Sequence, residues 1–280
     1  MNPFDLRGPE FLVFYLLLLA ATLLAVVFLR RSRESGLLPP QELNDPYLYA
    51  FLAGGPGAAV NAATMALVDR GALKVEKKTL TISQDPALQT SPVQIEREVL
   101  DYFKRNFSTP RELLNLAPKL NSCVEYDNRL RRQKLLPDTA IKQERRSRVV
   151  KAVLLLLGVS IIKLFVAIAR GHKNIGFLII LTVVGSLVAI VVGNPRRTTV
   201  GNDYLKNAQS LFSRLKGSPR RKDKPAGADL LWAAALFGVA TVPQVQYLRD
   251  LGMIDTSSSG GGDSGGGGGC GGGGCGGCGG

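Results

Sequence analysis

The residues with the clearest capacity for chemistry are three cysteines in the glycine-rich end of the chain, Cys270, Cys275 and Cys278. Their C-x4-C-x2-C spacing also occurs in plant-type iron–sulfur sites, which need a fourth ligand and an ordered loop. Cys123 could supply that ligand only if the tail folded back onto the soluble part of the chain. Because ordering a polyglycine chain costs much conformational entropy, we expect a disordered tail with incidental cysteines and no cofactor. Opportunistic metal or thiol chemistry at the tail cysteines is the alternative.

A second candidate is the run Gly54, Gly55, Pro56 and Gly57, which precedes a predicted helix. Free backbone amides at a helix N-terminus can bind a phosphate group. The run lacks the Lys-Ser/Thr pair of a P-loop, however, and Pro56 has no N–H group to donate. We therefore interpret these four residues as a tight turn between two helices and as a candidate contact surface.

A third candidate is the basic end of a helix that is predicted from about Ser122 to Leu135. It carries three arginines: Arg129, Arg131 and Arg132. Such side chains contact DNA phosphates and base edges, and they also pair with acidic protein surfaces. The helix before a predicted hairpin offers a nucleic acid only Asn61 and Arg70, and acidic residues precede the three arginines. We therefore expect a protein partner rather than a nucleic acid.

His172 is the only histidine, and it falls in a turn that is predicted to lie outside the membrane. One histidine cannot provide both a metal site and a general base. On the predicted topology, no Ser/His/Asp or Cys/His arrangement can form on the cytoplasmic side. We therefore expect a protein that is not an enzyme.

Three long apolar runs must position these candidates: residues 11–29, 149–169 and 175–193. A helix of about 20 residues, with a rise of ~1.5 Å per residue, crosses a hydrocarbon layer ~30 Å thick. Only five residues separate the last two runs, so these runs are predicted to form an antiparallel transmembrane hairpin. Lys151 and Lys163 in the second run can extend towards the interfaces. Pairing of Lys163 within an oligomer is the alternative.

The excess of basic residues lies beside these runs and gives the chain a net charge of +13. Residues 30–148 have a net charge of +6, and residues 194–228 have a net charge of +7. Under the positive-inside rule, residues 1–10 lie outside, and the basic linker 30–40 and the basic segment 194–228 lie in the cytoplasm. We therefore predict a multi-pass protein of the bacterial inner membrane, whose basic segments face lipid headgroups.

The region 41–148 is predicted to form a cytoplasmic module of two winged-helix-like units. In the first unit, an Asp cap and a first-turn proline begin a helix over 46–54, a second helix covers 56–70, and a hairpin covers 73–82. The second unit consists of three predicted helices, which begin near residues 91, 109 and 122.

One pattern recurs at three predicted helix ends. A leucine is followed four residues later by glycine or lysine, and two residues after that by an aliphatic residue. The three copies are Leu67–Leu73, Leu130–Leu136 and Leu248–Ile254. The pattern indicates a repeated helix end with Gly71 as a left-handed cap, and Lys134 replaces the glycine in the second copy.

The last apolar stretch, 230–242, lies in the region 229–255 and is short for a span. We expect a helix that packs on the cytoplasmic module or lies at the interface, and a fourth span is the alternative. The glycine- and cysteine-rich tail, 256–280, is then predicted to be cytoplasmic and disordered.

The first apolar run, the box Tyr49–Gly57 with the following segment Ala66–Leu73, the hairpin and the Gly/Cys-rich tail occur together in one chain. In this combination the chain resembles an uncharacterised family of bacterial membrane proteins. The resemblance covers nearly the whole chain and implies an integral membrane protein of unknown role. It brings no catalytic residues to this sequence.

The predicted fold class is a mainly α membrane protein. It has an N-terminal anchor helix, a cytoplasmic helical module of two winged-helix-like units, a transmembrane helical hairpin and a disordered glycine-rich tail. The expected function is a membrane-anchored cytoplasmic interaction or scaffold protein, whose partners are the lipid bilayer and a cytoplasmic protein. The alternatives are a membrane-tethered nucleic-acid-binding regulator and a metal- or thiol-handling membrane protein that acts through the tail cysteines.

Overall fold

The structure, a computed structural model, describes residues 8–34, 43–76, 79–105, 110–169, 176–212, 227–242 and 246–254. Within these ranges the chain is mainly helical and has one two-stranded sheet. The α-helices are α1 (Gly8–Glu34), α2 (Pro46–Gly54), α3 (Pro56–Asp69), α4 (Gln94–Arg105), α5 (Pro110–Leu116), α6 (Asn121–Arg132), α7 (Thr139–Ala169), α8 (Gly176–Gly193), α9 (Thr199–Leu211), α10 (Gly227–Phe237) and α11 (Gln246–Asp250). The strands are β1 (Leu73–Glu76) and β2 (Thr79–Ile82), and short 3-10 helices cover Ala117–Lys119 and Val239–Thr241.

Three helices, α1, α7 and α8, are long and apolar enough to cross a membrane, judged by length and composition. They contain the three apolar runs that the sequence predicts. Most of their large apolar side chains point away from the protein, as lipid-facing side chains do. Both α1 and α7 are longer than the predicted spans, because α1 continues to Glu34 and α7 begins at Thr139. The predicted turn between α7 and α8, with His172, lies outside the described residues.

Small residues on α8 allow the three candidate spans to pack closely. A Cβ atom at Gly185 would lie 2.7 Å from Leu19 of α1, and one at Gly193 would overlap Val149 of α7. Ser160 of α7 and Thr182 of α8 share a hydrogen bond of 2.5 Å. Such close approach and interhelical hydrogen bonding are typical of helices that associate in lipid.

Lys163 lies inside this bundle rather than on its lipid-facing surface. The residue is only 9% exposed, and its Nζ lies 4.4 Å from the ring centroid of Phe11 in α1. A cation over an aromatic face is an attractive contact that strengthens when water is excluded. The lysine therefore joins α7 to the first turns of α1.

Among the described residues, the helices outside the candidate spans share one hydrophobic core, and elements on both sides of the α7–α8 pair contribute to it. Its members include Leu52 of α2, Leu100 of α4, Leu205 of α9 and Ala235 of α10. The described residues between 199 and 254 therefore complete the core that the described residues between 43 and 136 begin. The hairpin is an insertion into one module, and the region 41–148 on its own lacks part of its core.

The box helix α2 lies at the centre of this core. Asp45 caps it by accepting a hydrogen bond of 2.9 Å from the backbone N–H of Tyr47, and a proline occupies its first turn. Helix α10 packs against α2 and α3 through three buried residues, Ala234, Ala235 and Leu236. The stretch 230–242 therefore begins with a packed helix, and the described residues contain three candidate spans rather than four.

The predicted hairpin follows the α2–α3 pair. Strands β1 and β2 pair antiparallel, with Leu73 opposite Ile82. The second predicted unit contains α4, α5 and α6, but the six residues 133–138 join α6 directly to α7 as turns and loop. Two strands and a turn do not fit in six residues, so the second unit is helical without a hairpin.

The pattern that recurs at three helix ends is confirmed as one backbone motif. In each copy the amide five residues after the leucine donates to the leucine carbonyl at 2.9 Å; the pairs are Ala72–Leu67, Leu135–Leu130 and Met253–Leu248. The preceding residue is left-handed in each copy: Gly71 (φ 79°), Lys134 (φ 59°) and Gly252 (φ 68°). This is the Schellman helix end, and Lys134 adopts it without being glycine.

Candidate functional site

The module joins the candidate spans through a buried arginine on the part of α7 that precedes the predicted span. Arg145 is 1% exposed, and its Nε and one Nη each lie 2.6 Å from the carboxylate oxygens of Glu34 at the end of α1. The same guanidinium donates to the backbone carbonyls of Pro195 at 2.6 Å and Arg197 at 3.1 Å. One side chain therefore connects α1, α7 and the segment that follows α8.

Further contacts attach the end of α8 and the segment that follows it. Arg30 of α1 donates to the carbonyl of Val192 at 3.1 Å, which gives a partner to a last-turn carbonyl of α8. Thr198 caps α9 by accepting a hydrogen bond of 3.0 Å from the amide of Gly201. The Thr198 hydroxyl also donates to the carbonyl of Lys134 at 2.7 Å, so α9 begins against the end of α6.

Two arginines of this segment contact the Gly54–Gly57 turn and the end of α2 that precedes it. Arg197 donates from Nε to the carbonyl of Leu52 at 2.8 Å and from an Nη to the carbonyl of Ala53. Both carbonyls belong to the last turn of α2, where the helix dipole is negative. Gly54–Gly57 therefore form the turn between α2 and α3, as the sequence predicts, and a pair of cations contacts it.

Because it has no side chain, Gly55 allows Arg196 to approach the turn closely. Its φ of 89° is left-handed, and a Cβ atom there would overlap the guanidinium of Arg196. The same guanidinium lies 6.0 Å from the ring centroid of Phe51. Surrounding protein atoms lower the pKa of Arg196, and the neighbouring Arg197 lowers it further, whereas Asp127 opposes the shift. Arg196 still has an accessible surface and stays protonated at neutral pH.

A cavity of about 910 Å³ opens beside Arg196, between the box, α6, α7 and the end of α8. Its charged lining residues are Asp127, Arg131, Lys142, Arg146 and Arg196. Apolar residues of α7 and α8 at the end of the candidate spans also line it: Val149, Val150 and Ile190. The cavity therefore has a basic part next to an apolar part.

Some of the contact residues that the sequence predicts line this cavity, and others lie outside it. Pro56 and Arg131 line it, so the structure brings part of the box and part of the basic helix end together. Arg131 is held internally, since its Nε lies 2.6 Å from Asp127 and one Nη donates to the carbonyl of Pro137 at 2.5 Å. Arg129 and Arg132 are exposed on the outer surface of α6.

The two residues that a nucleic acid would need from α3 have partners within the chain. Asn61 donates to the carbonyl of Met253 at 3.1 Å. Arg70 forms an ion pair of 2.7 Å with the buried carboxylate of Glu96. Tyr47 also donates to Glu96, and its own burial together with that carboxylate raises the pKa of the phenol. These side chains hold α2, α3 and α4 together.

The cysteine candidates do not form a site in the described residues. Cys123 is 1% exposed, and burial, followed by the charge of Glu98, raises the pKa of its thiol to about 12. A thiol that stays protonated at neutral pH is a poor metal ligand. Cys270, Cys275 and Cys278 lie outside the described residues, and the part of the chain that the structure describes has no metal-binding group of His, Cys, Asp or Glu side chains.

Sequence reasoning missed the residues that build this junction. Glu34 and Arg145 were not singled out, because each lies in a run of charged residues that reads as a solvated membrane flank. Arg196 and Arg197 directly follow the third apolar run and so indicate topology, but this signal does not predict their contacts with α2 and Gly55. Comparison of the chain with protein families, curated proteins and solved structures finds no match.

Proposed function

We propose that this protein is a non-enzymatic, membrane-anchored interaction protein that presents a helical module on the cytoplasmic face of the bacterial inner membrane. The observation that supports this most is the fixed mounting of the module on the candidate spans. Arg145 binds Glu34 and two backbone carbonyls, and Arg197 binds the end of α2. A module held in this way keeps one orientation relative to the bilayer, as a docking platform requires.

The orientation follows from the charges at one end of the bundle. Arg30 contacts the last turn of α8, and Arg145 contacts the end of α1, so the basic ends of all three helices lie together. The positive-inside rule places such an end in the cytoplasm. With three spans, the N-terminus lies outside and the tail lies inside.

An impermeant maleimide tests this orientation through Cys270, Cys275 and Cys278 in intact cells. We expect no labelling until the cells are lysed. Cys123 contributes no background to the native protein because it is buried and protonated. Labelling of the tail cysteines in intact cells would contradict the cytoplasmic placement and would bring thiol or metal chemistry outside the cell into consideration.

The outer surface of α6 is the part of the module that we expect to contact a protein partner. Arg129 and Arg132 are exposed there, on a part of α6 that does not line the cavity. Arginine is enriched among the residues that carry binding energy at protein interfaces. The charge favours a partner with an acidic contact surface.

The test uses the full chain in bacterial membranes, with a photoreactive amino acid at Asn128 on α6. We expect a defined protein adduct that is lost in the Arg129→Glu/Arg132→Glu variant. It should persist in Lys104→Glu/Arg105→Glu, which reverses two exposed charges on α4. No defined adduct, or equal loss in both variants, would contradict the proposal, and a nuclease-sensitive adduct would favour the nucleic-acid alternative.

A further inference from the structure

The cavity between the box, α6, α7 and α8 lies where the candidate spans leave the apolar layer. Val150 of α7 and Ile190 of α8 line it and are each 47% exposed. Their helices carry lipid-facing apolar side chains towards the other end of the bundle. One wall of the cavity is therefore continuous with the surface that faces the hydrocarbon of the bilayer.

The opposite part of the cavity is cationic. Lys142 and Arg146 are four residues apart on α7 and so share a helix face, and Arg196 lies across from them on the segment after α8. Asp127 is the one acidic residue among those that line the cavity, and Arg131 binds both of its oxygens, at 2.6 and 3.1 Å. Three cations therefore face the cavity without a carboxylate within ion-pair distance in the described structure.

Arg196 lies where the Gly54–Gly57 turn meets the cavity. It is held between Gly55 and the ring of Phe51, next to the second cation Arg197. Partial desolvation by the surrounding protein, and then the charge of Arg197, lower its pKa, so both reduce the stabilisation of this exposed, protonated guanidinium. An anion in the cavity would restore that stabilisation.

Size also distinguishes the kinds of anion that would fit. A cavity of about 910 Å³ is near the upper end of the range of roughly 300–1,000 Å³ that is typical of small-molecule sites. An inorganic phosphate would occupy a small part of it and leave the apolar wall uncovered. A phospholipid headgroup with its glycerol and upper acyl carbons would contact both parts.

We propose that the cavity binds the headgroup of an anionic phospholipid from the surrounding leaflet. Arg146, Arg196 and Lys142 bind the phosphodiester group, and Val149, Val150 and Ile190 contact the glycerol and the first acyl carbons. The bound lipid touches the box, α6, α7 and α8 together and so stabilises the junction. This site goes beyond the proposed partner binding and does not depend on Arg129 and Arg132, which do not line the cavity.

The test measures lipid-dependent stabilisation of the full-length protein in a neutral detergent. Phosphatidylglycerol, phosphatidylcholine and inorganic phosphate are added separately, and the unfolding temperature is followed by the fluorescence of the single tryptophan, Trp232. We expect phosphatidylglycerol alone to raise the unfolding temperature, because a ligand that binds the native state stabilises it. An equal rise with phosphate would overturn the lipid assignment in favour of a free-anion site.

Two double variants place the effect at the cavity. Lys142→Gln/Arg146→Gln removes two exposed cations of the lining, and we expect its apparent affinity for phosphatidylglycerol to fall roughly 25-fold, since each basic residue near an anionic surface contributes a factor of about five. Arg31→Gln/Arg33→Gln removes two exposed cations from the same end of the bundle outside the cavity and should respond like the unchanged protein.

Equal loss in the two double variants would overturn the site, because it would show attraction to surface charge alone. A phosphatidylglycerol with a diazirine in the upper part of one acyl chain gives an independent measurement. Its adducts should map to the peptide that contains Val149 and Val150 or to the one that contains Ile190. Adducts distributed along all three candidate spans without enrichment there would also contradict the proposal.

Discussion

Gly55 shows how one residue type determines whether two distant segments can meet. The residue has a left-handed backbone, and the guanidinium of Arg196 occupies the space where a side chain would begin. The neighbouring Arg197 binds the last carbonyls of α2. The sequence predicted the turn, because glycine and proline act locally on the backbone. It could not predict the arginines, which lie about 140 residues away in the chain.

Gly55→Ala is expected to destabilise the full-length protein by at least ~1–2 kcal/mol, because a left-handed alanine is strained and its Cβ displaces Arg196. Gly57→Ala is the matched control in the same box. Its Cβ would meet no atom closer than 3.8 Å, from Leu114, so it should be neutral or slightly stabilising. Thermal unfolding of both variants in detergent measures the difference. Equal midpoints would show that the close packing at Gly55 is not required.

At the scale of elements, the three Schellman ends show which part of the fold is local. The pattern was readable because each copy needs only seven consecutive residues, with a buried leucine and a left-handed position. The sequence does not predict that α7 begins as early as Thr139. Its first turns are charged and only its later turns are apolar. Hydropathy therefore predicts the apolar part of α7 but not the earlier turns that carry Arg145.

Lys134→Gly is expected to stabilise the protein by about 0.5–1 kcal/mol, because glycine adopts the left-handed conformation without the Cβ strain of lysine. Gly252→Ala should have the opposite effect, with a loss of about 1 kcal/mol, since φ there is 68° and the nearest atom to a new Cβ, from Arg111, is 4.0 Å away. Chemical unfolding of the two variants measures these free energies. A destabilised Lys134→Gly variant would show that the lysine side chain has a role that its backbone does not explain.

At the scale of the whole molecule, the candidate spans α7 and α8 are inserted into one helical module with a single core. Apolar runs and flanking charges predicted the spans, since both signals are continuous in sequence. The shared core was not predictable in this way, because it brings α9 and α10 onto α2 across the entire hairpin. The cavity also forms between segments before α7 and after α8, so the sequence alone does not predict it.

The ion pair between Glu34 and Arg145 joins residues that are 111 positions apart. It holds the end of α1 against the first turns of α7. Both side chains are almost fully buried, at 3% and 1% exposure. Breaking one partner of such a pair leaves an uncompensated buried charge, which costs ~3–5 kcal/mol. Arg145→Met should therefore destabilise the protein by about that amount, and it also removes the donors to Pro195 and Arg197.

A double variant separates the charge from the rest of the contact. In Glu34→Gln/Arg145→Met no buried charge is left unpaired, so we expect a smaller loss than the sum of the two single variants. Glu144→Gln is the control, since it removes the half-exposed partner of Arg148 and should cost less than ~1 kcal/mol. Denaturant unfolding followed by Trp232, which stacks on Phe212 and meets the edge of Tyr49, reports on the module core in all four proteins. If Arg145→Met unfolds at the same denaturant concentration as Glu144→Gln, the buried pair does not hold the module to the spans, and the cavity between them loses its fixed walls.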